Sequence, residues 1–464
     1  MKIAVIGGGI AGLSTAYELA RSGKEFVLYE ASHRLGGIVE TVRRDGFVVE
    51  CGPDSWVTEK PWARELAVEL GLEDEIIPSN DRWRRTYIVQ DKRLIAMPDG
   101  MRMMVPTKWE PLLSSPLFSW QARLAYLREP KRADELKRSA IAEGVDESVA
   151  SFVRRHFGDE ATDTIAAPLL AGVFGGSIDA LSVRAVMPMF VKMEREHGSL
   201  ILALQQLACN GERASIFSTL KSGLQTLMDH MAAALPVSSV RLNEGVTSLS
   251  RDGARWLVSS ASGNETFDAV VVATPTDVTR ALLTPVDAAF DELLAMDASS
   301  AIVITMAFAP EHAKFMRIPR GFGFLVPQTK SCDDKPQLLA CTFVDQKFSH
   351  RAPDGGVLLR AFFGGEDAPR LLSSSDDEVI ALAYAQLSVL LGHLPEPSFT
   401  LIRRWPRSLP QYAVGHLERM QRLEDRVKAL RGLRLVGNAY YGVGLPDLVR
   451  HGRETARKLS STPM

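Results

Sequence analysis

The stretch IAVIGGGIAGLSTAYEL, Ile3–Leu19, predicts a strand, a glycine turn and a helix in immediate succession. Gly7, Gly9 and Gly12 in this stretch fit the spacing G-x-G-x-x-G. In such a turn the first glycine makes the tight bend, the second lets the backbone approach a pyrophosphate, and the third lets the helix pack closely on the strand. The free N–H groups at the helix N-terminus then face the anion. The stretch therefore indicates a dinucleotide-binding βα unit.

A second predicted strand, Phe26–Tyr29, ends in Glu30, which follows Gly12 by 18 residues. A carboxylate near this spacing is typical of a ribose-binding acid. Because Glu30 would repel a 2′-phosphate, the sequence favours the adenosine of FAD or NAD over that of NADP. The alternative is an ordinary βαβ turn with a solvated Glu30, which leaves the full combination of strand, turn, helix and acid unexplained.

The bulk composition excludes several classes of protein. The 464 residues suffice for two or three domains, and 46% hydrophobic with 24% charged residues is ordinary for a soluble globular protein. A net charge of −2 gives no reason to expect a nucleic-acid partner. The four cysteines show no C-x-x-C spacing, so we do not expect a zinc site. They are expected to be reduced thiols. They are Cys51, Cys209, Cys332 and Cys341.

Targeting signals are not expected, because the chain runs directly into Ile3–Ile6 and contains no run of eighteen apolar residues. We therefore expect a cytoplasmic protein. The segment from Met97 to Leu127 leaves two interpretations open, since it mixes apolar residues with basic ones such as Arg102 and Arg123. It could lie peripherally on the inner face of the cell membrane, or it could form an ordinary helical core.

Further motifs spread over nearly the whole chain and carry a family resemblance. They read GGGIAGLSTAYEL, EASHRLGGIVETV, GPDSW, PLLAGVFGGSID, KMEREHGSLI, GFGFLVP, RWPRSLPQYAVGHLERM and VGNAYYGVGLPDLVRHG. The chain resembles the flavoprotein protoporphyrinogen oxidase family, which includes the bacterial coproporphyrinogen III oxidases, within the wider superfamily of amine oxidases and phytoene desaturases. The first two motifs occur across that superfamily, and the later ones are narrower.

The resemblance implies FAD as the cofactor. It places the pyrophosphate on the opening glycine turn, the ribose at Glu30 and the flavin at the N-terminus of the final helix, whose partial positive charge would stabilise the reduced ring. The cofactor-binding residues it implies are Gly7, Gly8, Gly9, Ile10, Ala11, Gly12, Glu30, Ala31, Arg34, Gly36, Gly37, Gly52, Pro53, Asp54, Ser55, Val246, Asn438, Val443, Gly444 and Leu445.

A porphyrinogen is apolar at its centre and anionic at its carboxylates, so its pocket needs apolar walls and one or two cations or amides. The resemblance places Leu325 and Phe362 against the macrocycle, and Gly175 where the ring would approach the backbone. Thr342 stands where relatives often have leucine, and Asp54 where some have asparagine.

The carboxylate-binding arginine is ambiguous in sequence. The usual place for it holds Thr86, and both Arg84 and Arg85 are offset from that place. We choose Arg85. The substrate-binding residues implied are therefore Arg85, Asp54, Gly175, Leu325, Thr342 and Phe362.

The reaction implied is oxygen-dependent oxidation of protoporphyrinogen IX or coproporphyrinogen III in haem biosynthesis. Three two-electron steps on CH–CH bonds would give the porphyrin, and O₂ would reoxidise the flavin to give H₂O₂. We predict no catalytic residue beyond the flavin, because no nucleophile–base arrangement is visible, and His416 is expected to be structural. A homodimer and transfer of the product to ferrochelatase are left open.

Two alternatives to this function stay open. The first is a related flavin amine oxidase or phytoene-type desaturase, which shares the N-terminal motifs. The second is a non-catalytic lipid-binding carrier on the same fold, similar to the Rab GDP-dissociation inhibitors. The expected fold is α/β with α+β insertions, in which a Rossmann-like FAD-binding domain is interrupted by a mixed-sheet substrate domain and a helical domain. The predicted segments are 1–80, 206–290 and 403–464 for FAD, 81–98 and 291–402 for the substrate, and 99–205 for the helices.

Overall fold

The opening stretch folds as strand, glycine turn and helix in the computed structural model of the protein, which describes residues 1–142, 144–208, 215–328 and 336–461. Cys209 and Cys332 lie outside these residues, whereas Cys51 and Cys341 are buried free thiols, as expected. Burial raises the pKa of Cys51 to about 11 and also raises the pKa of Cys341, so both stay protonated at neutral pH. Within the described part of the chain, no cluster of histidine, cysteine or acidic residues could hold a metal ion.

The strands and helices are named in chain order. The strands are β1 (Lys2–Ile6), β2 (Glu25–Tyr29), β3 (Thr41–Arg44), β4 (Phe47–Glu50), β5 (Trp56–Val57), β6 (Ile76–Pro78), β7 (Thr86–Gln90), β8 (Arg93–Ala96), β9 (Met101–Arg102), β10 (Val105–Pro106), β11 (Phe217–Leu220), β12 (Val240–Arg241), β13 (Val246–Asp252), β14 (Arg255–Ser260), β15 (Gly263–Phe267), β16 (Ala269–Val272), β17 (Ala298–Phe308), β18 (Gly323–Leu325), β19 (Ala340–Phe343), β20 (Val357–Phe363), β21 (Phe399–Pro410) and β22 (Leu433–Leu435).

The helices are α1 (Ile10–Arg21), α2 (Trp62–Glu69), α3 (Trp109–Ser114), α4 (Trp120–Arg128), α5 (Ala133–Ser139), α6 (Val149–Ala161), α7 (Ala167–Phe174), α8 (Val183–Val186), α9 (Pro188–His197), α10 (Leu200–Ala208), α11 (Gln225–Ala233), α12 (Thr276–Leu283), α13 (Ala289–Leu293), α14 (Pro310–Ala313), α15 (Val344–Lys347), α16 (Ala368–Ser373), α17 (Asp376–Leu391), α18 (His416–Ala429) and α19 (Leu445–Ser461). None of the helices in these described ranges is both long and apolar enough to cross a membrane.

A five-stranded parallel sheet in the order β12-β2-β1-β16-β22 forms the centre of the dinucleotide-binding unit. Ile3 and Val5 of β1 pack on one side in a core with α1 and α19, and Ala4 and Ile6 pack on the other side against β13–β15. Burial on both faces requires an uninterrupted apolar strand, which is why β1 shows no alternation of polar residues.

A seven-stranded mixed sheet in the order β21-β17-β20-β19-β18-β7-β8 forms the second layer. One of its faces packs against α17 through residues such as Ile304, Phe324 and Leu387. In the register of the strands, Leu325 lies opposite Ala340 and Ala340 opposite Phe362. Because cross-strand partners share a face, Leu325 and Phe362 lie on the face away from α17.

The region 99–208 contains α3–α10 around its own apolar core. This core also includes Ile88 of β7 and Tyr412, and the half-buried Leu325 and Val443 pack against it. The helical region therefore covers the face of the mixed sheet that α17 leaves free, and it extends to the loop before α19.

Three elements differ from what the local sequence predicts. The pattern predicts a strand from Val237 to Arg241, but Val237–Ser239 form a 3₁₀ turn after Pro236, because Val237 is 93% exposed and has no core to join. The pattern also predicts that a helix ends at Gly158, but this glycine takes φ +82° without strain and the chain continues as a helix beyond the kink. The strand β21 continues past the predicted domain boundary at 402 and ends at Pro410.

The segment from Met97 to Leu127 contributes buried apolar side chains, such as Met104 and Leu112, to the helical core. Trp120 is 68% exposed at the start of α4. The buried side chains of the segment fit an ordinary helical core, and the exposed Trp120 is compatible with contact at a membrane. Membrane contact stays a prediction.

Candidate functional site

The glycine turn between β1 and α1 leaves space for a ligand at one position only. A Cβ on Gly7 would lie 2.8 Å from the Ala273 carbonyl oxygen, and one on Gly12 would lie 1.9 Å from the Gly7 carbonyl oxygen. A Cβ on Gly9 would meet no atom within 4 Å. No side chain caps α1, and its first turn holds no acidic residue. The free amides beside Gly9 thus suit an anion such as a pyrophosphate.

Glu30 lies directly beside this turn. Its carboxylate accepts hydrogen bonds from the Gly8 amide at 2.7 Å and from the Ser32 amide at 2.8 Å. The two bonds fix the carboxylate but leave further acceptor capacity, which a ribose hydroxyl could use. Ala31 follows, and Gly245, the residue before Val246, would place a Cβ 3.3 Å from the Ala31 Cβ. The structure therefore brings Glu30, Ala31 and Val246 together beyond the carboxyl end of β2.

The loop 34–39 is locked onto the glycine turn. The Gly36 amide donates to the Gly8 carbonyl at 2.8 Å, and a Cβ on Gly37 would lie 3.2 Å from the Gly9 Cα. Arg34 donates to the Val39 carbonyl at 2.9 Å and to the Gly37 carbonyl at 2.5 Å. Arg34 therefore stabilises the conformation of the loop through its hydrogen bonds to backbone carbonyls. A direct contact of Arg34 with a diphosphate stays a prediction.

Asp54 lies in a buried cluster of charges. Its carboxylate accepts hydrogen bonds from Lys347 Nζ at 2.9 and 3.0 Å and from Ser55 Oγ at 2.7 Å, and it lies 3.4 Å from Arg360 Nη1. Burial alone would raise the pKa of Asp54, but the positive charges of Lys347 and Arg360 and these hydrogen bonds hold it well below its usual range. Asp54 is thus an anion with two cationic partners, which leaves one net positive charge.

The neighbouring segment ties this cluster to the predicted cofactor loops. Gly52 cannot carry a side chain, because its Cβ would lie 1.9 Å from the Ile38 carbonyl oxygen, and its own carbonyl accepts a hydrogen bond from Arg360. Pro53 joins Gly52 to Asp54. Behind the cluster, Arg351 lies 3.2 Å from Glu50 in a second buried pair.

The turn before α19 lies near the same face of the parallel sheet as the glycine turn. Leu445 at the start of α19 packs in one core with Ile10 at the start of α1. Gly452 passes so close to α1 that a Cβ would lie 2.5 Å from the Ala11 carbonyl oxygen. Arg453 bonds Glu18 further along, so the two helices run in the same direction. Gly452 lies against Ala11, Ser14 and Thr15, so about four more residues of α19 than of α1 precede this crossing. The α19 N-terminus therefore extends about 6 Å, roughly one helical turn, beyond that of α1.

This arrangement suits one elongated ligand, because the N-termini of two helices face the same side in a staggered arrangement. The first turn of α19 also holds the buried Asp447, whose charge is paired with Lys60. The predicted residues at its second end, Asn438, Val443 and Gly444, lie in the loop that leads into α19. The structure thus brings the opening glycines and the C-terminal motif to the same side of the parallel sheet, and a shared cofactor site stays a prediction.

We expect Glu30→Ala to weaken FAD binding by about tenfold to a hundredfold, because a hydrogen bond to a charged group is worth ~1.5–3 kcal/mol. The measurement is a fluorescence titration of flavin-free protein with FAD. Glu25→Ala is the matched control, since Glu25 is the first residue of β2, the strand that directly precedes Glu30, and its side chain is 69% exposed. Equal FAD affinity in the two variants would rule out a ribose contact for Glu30.

The face of the mixed sheet that the helical region covers contains three of the six predicted substrate residues, Leu325, Thr342 and Phe362. Gly172 of α7 faces Leu325, whose Cδ2 lies 3.9 Å from the position of a Cβ on Gly172. Thr342 lies opposite Arg360 and shares the face of Phe362. Gly175 caps the end of α7 at φ +69° and reaches the Gly364–Gly365 turn after β20. Leu325, Thr342 and Phe362 thus share one sheet face, which lies next to α7 and Gly175, and their contact with a substrate stays a prediction.

Arg85 is placed differently. It is exposed and directly precedes Thr86, the first residue of β7. Because side chains alternate along an extended chain, Arg85 lies on the same side as Tyr87, which packs in the core against α17. Thr86 lies opposite Gly323 on the substrate face. The structure thus leaves Arg85 apart from Leu325 and Phe362, and its contact with a carboxylate stays a prediction.

Sequence reasoning missed Lys347, Arg360 and Tyr412. Arg360 could have been noticed in the sequence, because it is the one charged residue in the apolar strand VLLRAFF, and a buried arginine needs a partner. In the structure its side chain is 1% exposed. Lys347 had none, since its partner Asp54 is 293 residues away in sequence.

Comparisons with known proteins place the chain in a family. The profile of the family described as "Flavin containing amine oxidoreductase" matches residues 10–460. The coproporphyrinogen III oxidase of Bacillus subtilis is 32% identical, over 97% of this chain and 96% of that protein. The coproporphyrinogen III oxidase of Propionibacterium freudenreichii is 33% identical, over 99% of this chain and 92% of that protein.

One solved structure matches the whole fold. It is a protein of Exiguobacterium sp. 255-15 with a provisional protoporphyrinogen oxidase name, at a TM-score of 0.85 and 30% identity over 99% of this chain and 98% of that one. The open space beside Gly9, the hydrogen bonds that fix Glu30 and the two staggered helix N-termini fit an FAD molecule. The chain therefore belongs to the flavin-containing amine oxidoreductase family, with FAD as its cofactor.

Proposed function

We propose that the protein oxidises a porphyrinogen, either protoporphyrinogen IX or coproporphyrinogen III, to the porphyrin in haem biosynthesis. Three two-electron steps would complete the reaction, with O₂ as the final acceptor and H₂O₂ as its product. FAD, when bound, supplies the hydride acceptor. The names of the full-length relatives support the substrate class.

The observation that carries the proposal is an apolar sheet face next to a buried excess of positive charge. Leu325 and Phe362 present apolar surface, and the Arg360 guanidinium lies 5.1 Å from the Phe362 ring centroid. Lys347 and Arg360 share the single carboxylate of Asp54. A large apolar ring with carboxylates at its edge needs this combination of an apolar wall and a net positive charge.

The residues on this face orient and enclose the substrate rather than react with it. Leu325, Phe362 and the end of α7 at Gly175 would form one apolar wall beside the ring and exclude water from it. The ion-paired Asp54 does not act as a base, because Lys347 and Arg360 lower its pKa. The hydride leaves from carbon, so these residues determine position and charge.

The proposal is tested by an aerobic fluorescence assay with protoporphyrinogen IX and coproporphyrinogen III side by side, together with a peroxide measurement. Formation of one porphyrin with stoichiometric H₂O₂ supports the proposal and identifies the substrate. Parallel incubations with a primary amine and with phytoene test the amine oxidase and desaturase alternatives. A protein that binds FAD but oxidises none of the four would favour the carrier.

We expect Phe362→Ala to raise the KM for the porphyrinogen by about tenfold or more, since full burial of a phenylalanine side chain is worth ~1.5–3 kcal/mol. FAD content should stay at the wild-type level. Phe315→Ala is the control, because Phe315 is 70% exposed. Loss of flavin with an unchanged KM would contradict the placement of Phe362 in the pocket.

Membrane contact, a homodimer and transfer of the porphyrin to ferrochelatase belong to the same proposal. The exposed Trp120 at the start of α4 is one group that could enter a lipid interface. Co-sedimentation with anionic vesicles tests the contact, and binding that is equal in wild type and Trp120→Ala would exclude this residue from it.

A further inference from the structure

Residues 408–416, here called the bridging segment, lie between the helical region and the turn before α19. The Ser182 amide donates to the Tyr412 carbonyl at 2.7 Å, and the Val414 amide donates to the Ala180 carbonyl at 3.0 Å. Two backbone hydrogen bonds thus fix the bridging segment to the helical region.

The side chain of Tyr412 connects the bridging segment to the other side. Its hydroxyl donates to the Asn438 carbonyl at 2.6 Å and accepts a hydrogen bond from the Gly442 amide at 2.9 Å. Burial raises the pKa of Tyr412, so the hydroxyl keeps the proton it donates. A single buried hydroxyl therefore joins both ends of the turn 438–442.

The ring of Tyr412 is held in place as well. It stacks on His416 with centroids 4.0 Å apart and planes 11° apart. Burial lowers the pKa of His416, and its Nε2 faces the Tyr440 carbonyl at 3.2 Å inside the same turn. Asn438 Nδ2 also donates to the Ser408 carbonyl at 2.9 Å. The turn is thus bonded to the bridging segment at several points.

We infer that Tyr412 is a positioning residue for FAD. Its hydroxyl holds the turn 438–442 in the shape that presents Asn438, Val443 and Gly444 to the cofactor. Without the hydroxyl the turn has to be ordered when FAD binds, and the affinity for FAD falls by the fraction of molecules in which the turn is formed. This inference rests on FAD as the cofactor and is independent of the porphyrinogen as substrate.

The test compares Tyr412→Phe with Tyr126→Phe. Tyr126 is also fully buried, and its hydroxyl donates to the Met104 carbonyl at 3.1 Å, outside the turn. Flavin-free protein is titrated with FAD, and thermal unfolding is followed in parallel. We expect a Kd for FAD about three to ten times higher in Tyr412→Phe, because the variant loses both hydrogen bonds to the turn and part of that loss falls on FAD binding. Both variants should have a lower Tm, but Tyr126→Phe should bind FAD as wild type does.

A purely structural role predicts a different result. If Tyr412→Phe binds FAD with the wild-type Kd, or if Tyr126→Phe weakens binding by the same factor, the inference is wrong. Hydrogen exchange of wild-type flavin-free protein provides a measurement that needs no variant. A Gly442 amide that is protected before FAD is added supports a preformed turn, and an unprotected one overturns it.

Discussion

Asp54→Asn is expected to lower the free energy of unfolding of the flavin-free protein by about 3–5 kcal/mol, the usual cost of breaking a buried ion pair. The substitution keeps the size of the side chain but removes the charge that Lys347 and Arg360 share. Arg360 is 1% exposed, so water cannot take the place of the carboxylate. Urea denaturation at neutral pH measures the effect.

Two further variants show whether the charge is the cause. Asp277→Asn removes an acid whose ion pair with Arg407 is about half exposed, and it should change the stability little. Asp54→Asn combined with Lys347→Met returns the cluster to one net positive charge and should recover part of the loss. A single Asp54→Asn variant that is as stable as Asp277→Asn would show that the cluster is not held by charge.

The dinucleotide-binding unit could be predicted from the sequence because its signals are local. The apolar run of β1, the glycine spacing and Glu30 all lie within the first 30 residues, and each expresses a steric or electrostatic requirement of one turn. Gly12 shows this directly, because a Cβ there would lie 1.9 Å from the Gly7 carbonyl oxygen. The α/β fold class followed from these signals and from the strand and helix patterns in the rest of the chain.

The substrate face was harder to predict because it depends on strand register. The choice between Arg84, Arg85 and Thr86 depends on which face each residue takes, and the sheet pairing of Thr86 with Gly323 settles the face of Thr86 alone. A shift of one residue moves a side chain from the pocket to the opposite face. Sequence resemblance locates such a segment but does not determine which of its side chains face the pocket.

The charge cluster and the bridging segment were not predicted because they join residues far apart in sequence. Lys347 and Asp54 meet only after the mixed sheet and the cofactor loops have packed together. The motif that contains Tyr412 was recognised, but its hydrogen bonds to Asn438 and Gly442 depend on where the C-terminal turn lies. Contacts of this kind leave no spacing in the sequence to detect.

Glu129→Gln should lower the free energy of unfolding by about 3–5 kcal/mol at pH 6, since it leaves a buried cation with one counter-ion fewer. His156 Nδ1 lies 3.0 Å from Glu129 Oε1, and His156 Nε2 lies 3.0 Å from Glu194 Oε1, with all three side chains fully buried. Glu129 also accepts hydrogen bonds from Ser199 Oγ at 2.5 Å and from the Leu200 amide at 2.7 Å. The cluster connects the segment after α4 to α6, α9 and α10.

The pH dependence of stability gives a second and independent readout. Burial alone would lower the pKa of His156, but Glu129 and Glu194 outweigh it, so the pKa is raised above its usual value. The protonated His156 should therefore contribute fully to the free energy of unfolding of wild type below a pH of about 6.5. This contribution should be lost as the pH rises through the pKa of His156 in the folded protein. Urea unfolding measured between about pH 6 and 9 should show a shallower decline in Glu129→Gln.

Glu135→Gln is the matched control for this cluster, because Glu135 pairs with Arg132 at the surface and should affect neither the stability nor its pH dependence. An identical decline with pH in wild type and Glu129→Gln would contradict a charged His156. If the decline differs, the core that packs against Leu325 is held together in part by a histidinium, since His156 belongs to the same helix as Phe152 and Phe157 of that core. The helical region over the substrate face would then be most stable in slightly acid solution and would lose stability as the pH rises.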